Sequence, residues 1–217
     1  EICACLVGSE MCIRDRNYLK EALKLELSDE KTLITNAQKP AKFLGFDIFI
    51  RRSNDLRKDI NGKTIRSLGH VPVLYLNYET MRKKLFDYKA ARIAVENGKE
   101  IWKSIVRTYM IDLDDLEIVS QFNAEIRGFY NYYSIANNSP AINSFYHIMS
   151  YSMYKTFARK YKSSVKKILF QYKKDGTFKV AYENSKGKTL YQSFYHDGFK
   201  RKKIAGATSC DTIPRTV

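Results

Sequence analysis

Between residues 143 and 174 there is no aspartate or glutamate, while eight lysines and arginines fall in the same stretch. A merely solvated helical face usually interleaves acids with bases, so this pattern asks for another explanation. Ile142, Tyr146, Met149, Met153, Phe157 and Tyr161, continued by Ile168, recur at helical spacing and predict one amphipathic helix. Opposite them, Lys155, Arg159, Lys162 and Lys166 follow at intervals of four, three and four. That places a basic ridge about 17 Å long on the outer side, at 1.5 Å per residue. Lys160 and Lys167 flank it. Residues 150–203 carry 15 bases against 3 acids. Holding so many like charges on a compact surface is unfavourable without a counter-charge, which points to a polyanionic partner.

The first sixteen residues, EICACLVGSEMCIRDR, show no hydrophobic period and are too charged and interrupted for a signal peptide. CLVGSEMCIRDR is what one frame of a transposase-type sequencing-library adapter encodes. Residues 1–16 are therefore read as adapter-derived and set aside from the fold. Cys3, Cys5 and Cys12 fall within them, and Cys210 alone supports neither a disulfide framework nor a zinc cluster. The remaining residues hold 36 bases and 20 acids, so the positive balance survives the exclusion. No apolar run approaches the roughly 18 residues of a membrane span. The expectation is a cytoplasmic protein of a bacterial host, with no membrane association.

About 200 residues can bury one sizeable core or two small ones. The expected class is α+β, mainly helical. Residues 17–27 read as a short helix, with Leu19, Leu23 and Leu27 four apart. LGFDIFI alternates as a strand, with Leu44, Phe46, Ile48 and Ile50 on one face. Asn61-Gly62 marks a turn, and VPVLYL from Val71 a further strand. From 77 to about 169 the pattern predicts helices. The first carries Met81, Leu85, Tyr88 and Val95 up to Asn97-Gly98; the second carries Ile101, Trp102, Ile105, Val106 and Tyr109. The third starts at the acidic DLDD, which suits a helix N-terminus. The basic helix follows, capped by Ser139 with Pro140 in its first turn. TFKVAY and TLYQSF, on either side of NSKGK, return to strand.

RGFYNYYS, residues 127–134, belongs to the third helix. At 100° per residue, Phe122, Ile126, Phe129 and Tyr133 share a buried stripe. Asn123, Arg127, Tyr130 and Ser134 gather on another side, with Asn131 at its edge. An arginine, a phenol and an amide there suit phosphate, 2′-hydroxyl and base-edge contacts, and an aromatic face can stack an unpaired base. Gly128 costs a helix about 1 kcal/mol relative to alanine, which predicts close packing beside it.

Read in order, LELSDEKT (25–32), KFLGFDI (42–48), RGFYNYYS and KTFARKYK (155–162) resemble the C-terminal half of a group II intron-encoded reverse transcriptase and maturase. The first two resemble the last blocks of the polymerase palm, and the last two the maturase region, domain X. The resemblance implies the end of a palm at 17–76, built on a β-hairpin, then a helical thumb bundle at 77–118. A helical maturase domain with a small β-hairpin would fill 119–203, and 204–217 would be a truncated linker toward a DNA-binding and endonuclease region. It implies RNA contacts from Arg127, Tyr130, Asn131, Lys155, Thr156, Arg159, Lys160, Lys162, Lys166 and Lys167.

The resemblance also implies a parent RNA-directed DNA polymerase that assists splicing and intron mobility. Its partners would be intron RNA and, in the intact protein, an RNA template with a DNA primer; a homodimer is among the expectations. Such polymerases hold two divalent ions on palm aspartates, which stabilise the attacking and leaving oxygens. Mg2+ is therefore expected for the intact polymerase, and no cofactor for this stretch. The aspartate-bearing motif belongs upstream of residue 17, and Asp114-Asp115 sits in a helix-start context instead. The chain alone is expected to lack polymerase activity. Lys31 is a candidate proton donor or phosphate contact near the polymerase site, against the plainer reading of a solvated loop lysine. The rival reading for the whole chain is a basic structural RNA-binding protein of ribosomal type.

Overall fold

The computed structural model describes residues 16–26, 36–51, 56–66, 71–184 and 186–202. Lys31, the expected adapter segment up to residue 15 and the tail beyond residue 202 lie outside the described residues. The chain divides into two compact units, residues 1–77 and 78–217. Helix and strand are mixed, and the described strands form four small sheets.

In the first unit, residues 16–21 are helical. Strand β1 (Ala41–Phe43) turns into β2 (Phe46–Arg51), and β3 (Leu56–Lys58) pairs with β4 (Thr64–Arg66). Strand β5 (Val71–Leu76) closes a three-stranded antiparallel sheet in the order β1-β2-β5. Pro72 is tolerated because, among the described residues, β5 is an edge strand. Leu44 and Gly45 take φ of +50° and +79° and make the two-residue turn between β1 and β2. Leu44 therefore leaves the strand face expected for it and is 66% exposed, while Phe46, Val73 and Leu76 are buried.

The second unit opens with α1 (Tyr78–Asp87), which buries Met81 and Leu85. Residues 91–104, expected to be helical, instead form the hairpin of β6 (Ala91–Glu96) and β7 (Lys99–Ser104). The turn decides this. Asn97 and Gly98 both adopt left-handed φ, +52° and +73°, the geometry that an Asn-Gly pair favours between antiparallel strands. Ile93 and Val95 add β-branched side chains. The stretch expected to be a helical bundle thus begins with one helix and a hairpin.

Helix α2 (Asp115–Tyr133) starts as the acidic DLDD predicts, with Asp115 and Glu117 in its first turn. Its stripe of Phe122, Ile126, Phe129 and Tyr133 is buried as expected. A 3₁₀ turn (Ser139–Ala141) leads into α3 (Ile142–Lys160). Ser139 does not cap that helix; it is buried, and its hydroxyl lies 3.4 Å from the Phe199 carbonyl. Phe145 of α3 stacks on Phe129 with centroids 4.2 Å apart, and Ile142, Met149, Met153 and Phe157 are fully buried beside it. Burial of each such side chain contributes about 1.5–3 kcal/mol. Gly128 has no atom within 4 Å of where a Cβ would sit, so the close packing expected there is not found among the described residues.

The basic helix is not continuous. It ends at Lys160, where Ser163 N–H reaches the Ala158 carbonyl (2.8 Å) and Lys162 N–H the Arg159 carbonyl (3.2 Å). This is a Schellman closure with Lys162 in the left-handed position, at φ +46°. Ser164 then caps α4 (Val165–Tyr172), its hydroxyl accepting the Lys167 N–H. Hydrophobic period alone could not reveal the break, because Ile168 keeps the spacing.

Strands β9 (Thr177–Glu183) and β10 (Thr189–Ser193) form the antiparallel hairpin expected from TFKVAY and TLYQSF, and β8 (Lys173–Lys174), not expected as a strand, adds a third member beside β9. Residues 194–202 run back over α2 and α3, burying Phe194, Tyr195 and Phe199. Asn123 anchors this strap: its amide donates to Ser193 O (2.9 Å) and accepts Tyr195 N–H (2.8 Å).

Candidate nucleic-acid interface

The end of α3, the turn after it and the segment before α2 enclose an open groove of about 740 Å³. Val106, Ile111 and Ala158 contribute apolar surface, and Lys155, Arg159, Lys160 and Lys162 supply four cations. The Schellman turn matters here, because it holds Lys162 in the groove wall rather than on a continuing ridge. Among the described residues, no ion pair or hydrogen bond engages the Arg159 or Lys162 side chains, and both are exposed. A row of cations over an apolar surface can neutralise successive phosphates while leaving room for sugars and bases.

The other two cations are tethered. Lys155 Nζ donates to the Ser104 carbonyl at 2.7 Å, which ties the groove to the end of β7. Lys160 Nζ bonds Leu113 O (2.6 Å) and pairs with Asp115 (2.7 Å). Asp115 also accepts the hydroxyls of Tyr161 (2.7 Å) and Tyr172 (2.8 Å). Burial raises both phenols above the ordinary tyrosine value, and for Tyr172 the hydrogen bonds to Tyr161 and Asp115 add to it. These hydroxyls therefore stay protonated and keep donating. Lys160 thereby joins α2 to α3 while still lining the groove.

Thr156, expected among the RNA contacts, lies inside the fold. It is fully buried, donates its hydroxyl to Ser152 O (2.8 Å) and accepts the Arg107 N–H (3.1 Å). It holds Arg107, whose guanidinium is also buried, pairs with Glu125 at 2.7 Å and lies 4.0 Å from the Phe122 ring centre. Nothing in the local sequence marks Arg107 as a core residue.

Lys166 and Lys167 stand exposed on α4. Arg127, Tyr130 and Asn131 form a second cluster under the strap. Arg127 and Asn131 are exposed, but Tyr130 is committed: its hydroxyl donates to Lys200 O (2.6 Å) and its ring meets the Phe199 ring at 5.3 Å. Lys202 Nζ lies 3.4 Å from Asn131 Oδ1 and 5.2 Å from the Tyr130 ring centre. Arg201 Nε donates to Ile135 O at 3.1 Å. The strap thus brings Arg201 and Lys202 to the end of α2 that carries Tyr130 and Asn131, and its backbone engages the Tyr130 hydroxyl. Among the described residues, no hydrogen bond, ion pair or ring contact joins this cluster to the groove. Sequence reasoning missed Lys200, Arg201 and Lys202 as site members because only the tertiary return of the chain brings them to α2.

Among the described residues, no three His, Cys, Asp or Glu side chains gather to hold a metal ion, and no helix is long and apolar enough to cross a membrane.

Residues 76–206 match the family described as type II intron maturase. The chain is similar to the group II intron-encoded protein LtrA of Lactococcus lactis subsp. cremoris, with 38% identity over 172 residues, covering 79% of this chain and 28% of that protein. It is also similar to a COX1/OXI3 intron 1 protein of Saccharomyces cerevisiae, with 33% identity over 165 residues, covering 70% of this chain and 19% of that protein. The chain therefore spans less than a third of the length of either relative.

Proposed function

The chain belongs to the type II intron maturase family, and from that premise we propose that its groove binds group II intron RNA and helps hold it in a splicing-competent fold. The observation that carries this reading is the pair Arg159 and Lys162, exposed in an open groove without a counter-charge among the described residues. Cations so placed release condensed counterions from RNA phosphates, a gain that weakens as salt rises. The mechanism is binding: the chain positions RNA, and the intron RNA performs the cleavage chemistry. In this reading residues 17–76 are the end of a polymerase palm, 77–118 a thumb of one helix and a hairpin, and 119–203 the maturase domain. The strap cluster of Arg127, Arg201 and Lys202 offers a second row of phosphate contacts, with Lys166 and Lys167 extending the first. The parent protein would be an RNA-directed DNA polymerase whose Mg2+ is held by carboxylates other than those described.

The test is filter binding of a group II intron transcript and an unrelated structured RNA of equal length, across a salt series. The Arg159→Glu/Lys162→Glu variant should bind the intron far more weakly, with a salt slope reduced by about one per lost phosphate contact. Its helical circular dichroism should be unchanged. Unchanged affinity and slope would remove the groove from the interface. Equal binding of both RNAs would favour a general RNA-binding protein.

A further inference from the structure

Lys155 lines not only the basic groove but also a second open hollow of about 310 Å³. This hollow runs along the end of β7 and the outer side of α3, and continues past Trp102, His147 and Ile148 toward Tyr78. Its walls differ in kind from the groove. Trp102 is stacked on Tyr78 with centroids 4.3 Å apart and 30° between planes, and its indole N–H donates to Glu100 at 3.0 Å. The indole is therefore fixed in orientation. His147 and Tyr151, both exposed, lie ring against ring at 4.7 Å.

The charges around these rings are also telling. Arg92 and Lys103 stand directly opposite each other in the β6–β7 register. Like charges so placed destabilise a hairpin. Glu96 pairs with Lys103, but no ion pair engages Arg92 among the described residues. Lys155 adds a third cation, held there by its bond to Ser104 O. A half-buried, oriented indole and two exposed rings beside mutually repelling cations are what an unpaired nucleotide complements, with its base on the rings and its phosphate among the cations. A duplex does not fit the same description, because its bases are already paired and stacked.

We infer that Trp102, His147 and Tyr151 form a stacking subsite for unpaired nucleotides of the bound RNA, with Arg92, Lys103 and Lys155 meeting the adjoining phosphates. The subsite rests on the RNA-binding reading of the groove and extends it: a strand leaving the groove at Lys155 passes directly onto the rings.

Trp102 is the single tryptophan of the chain, so its fluorescence reports on this subsite alone. The full chain is titrated with single-stranded oligouridylate and, separately, with a fully paired RNA duplex. Oligouridylate should quench the tryptophan emission, and the duplex should bind without quenching it. Arg92→Ala and Tyr151→Ala should each weaken oligouridylate binding by about ten-fold, the scale of one lost base stack or charge contact, and leave duplex affinity unchanged. Should Tyr151→Ala disturb folding, Arg92→Ala, on an exposed strand position, carries the same test. Oligouridylate binding without quenching, or equal weakening of both RNAs by Arg92→Ala, overturns the subsite and leaves the groove standing. Failure of both RNAs to bind the parent chain overturns the groove and the subsite with it.

Discussion

Lys162 occupies a position that favours glycine, and it lines the groove; replacing it should push stability and affinity in opposite directions. At φ +46° its side chain pays the left-handed penalty of about 1–2 kcal/mol. Glycine would remove that penalty but lose about 0.5–1 kcal/mol through its greater freedom in the unfolded chain. The two closing hydrogen bonds, to Ala158 O and Arg159 O, use backbone atoms alone and survive the change. Lys162→Gly should therefore stabilise the protein by about 0.5–1 kcal/mol, or about 1–4 °C at this size. It should also remove one groove cation, weakening intron RNA binding and lowering the salt slope by about one. Urea unfolding followed by circular dichroism reads the first effect, and filter binding over a salt series reads the second. A less stable variant would show that the turn holds no strain. A more stable variant with unchanged RNA affinity and slope would show that Lys162 touches no phosphate.

The buried pair makes a second expectation: Glu125→Gln leaves the Arg107 charge in a side chain of 0% exposure and should cost about 3–5 kcal/mol in urea unfolding. The Arg107→Met/Glu125→Gln double variant should cost less than the sum of the single changes, and strict additivity would show the pair uncoupled. Thr156→Val removes a hydroxyl with two buried partners and should cost about 1–3 kcal/mol of stability while leaving the RNA affinity of the folded protein unchanged. Lost affinity at full stability would return Thr156 to the interface. Burial, with the neighbouring Tyr146 and Tyr151 phenols, pushes Tyr154 up to about 12. Its unfolded counterpart loses its proton near pH 10, so the folded chain binds more protons above that pH. Stability is then full below pH 10 and declines between pH 10 and 12. Denaturation midpoints measured along that range should fall, less steeply in Tyr154→Phe, and a flat profile would refute the burial argument.

The family and the groove's chemistry were legible because charge and short motifs are local. KTFARKYK brought Lys155, Arg159 and Lys162 to attention, and the structure sets all three around one groove. The same text could not separate Thr156, which faces the core, or Lys160, which Asp115 claims from another helix. Tyr130 looked available beside Arg127, yet a carbonyl seventy residues away accepts its hydroxyl. At 91–104 the Asn97-Gly98 pair marks a turn, but the apolar spacing around it fits a helix as well as the hairpin that forms.

The sequence by itself determined what kind of surface this protein presents: net charge and an acid-free amphipathic stretch do not depend on where the chain goes next. Only the tertiary structure decided which of those side chains are spent on the fold and which remain for a partner. A donor is spent when an acceptor from a distant segment reaches it, as Asp115 reaches Lys160 and the strap reaches Tyr130. No local pattern encodes that meeting.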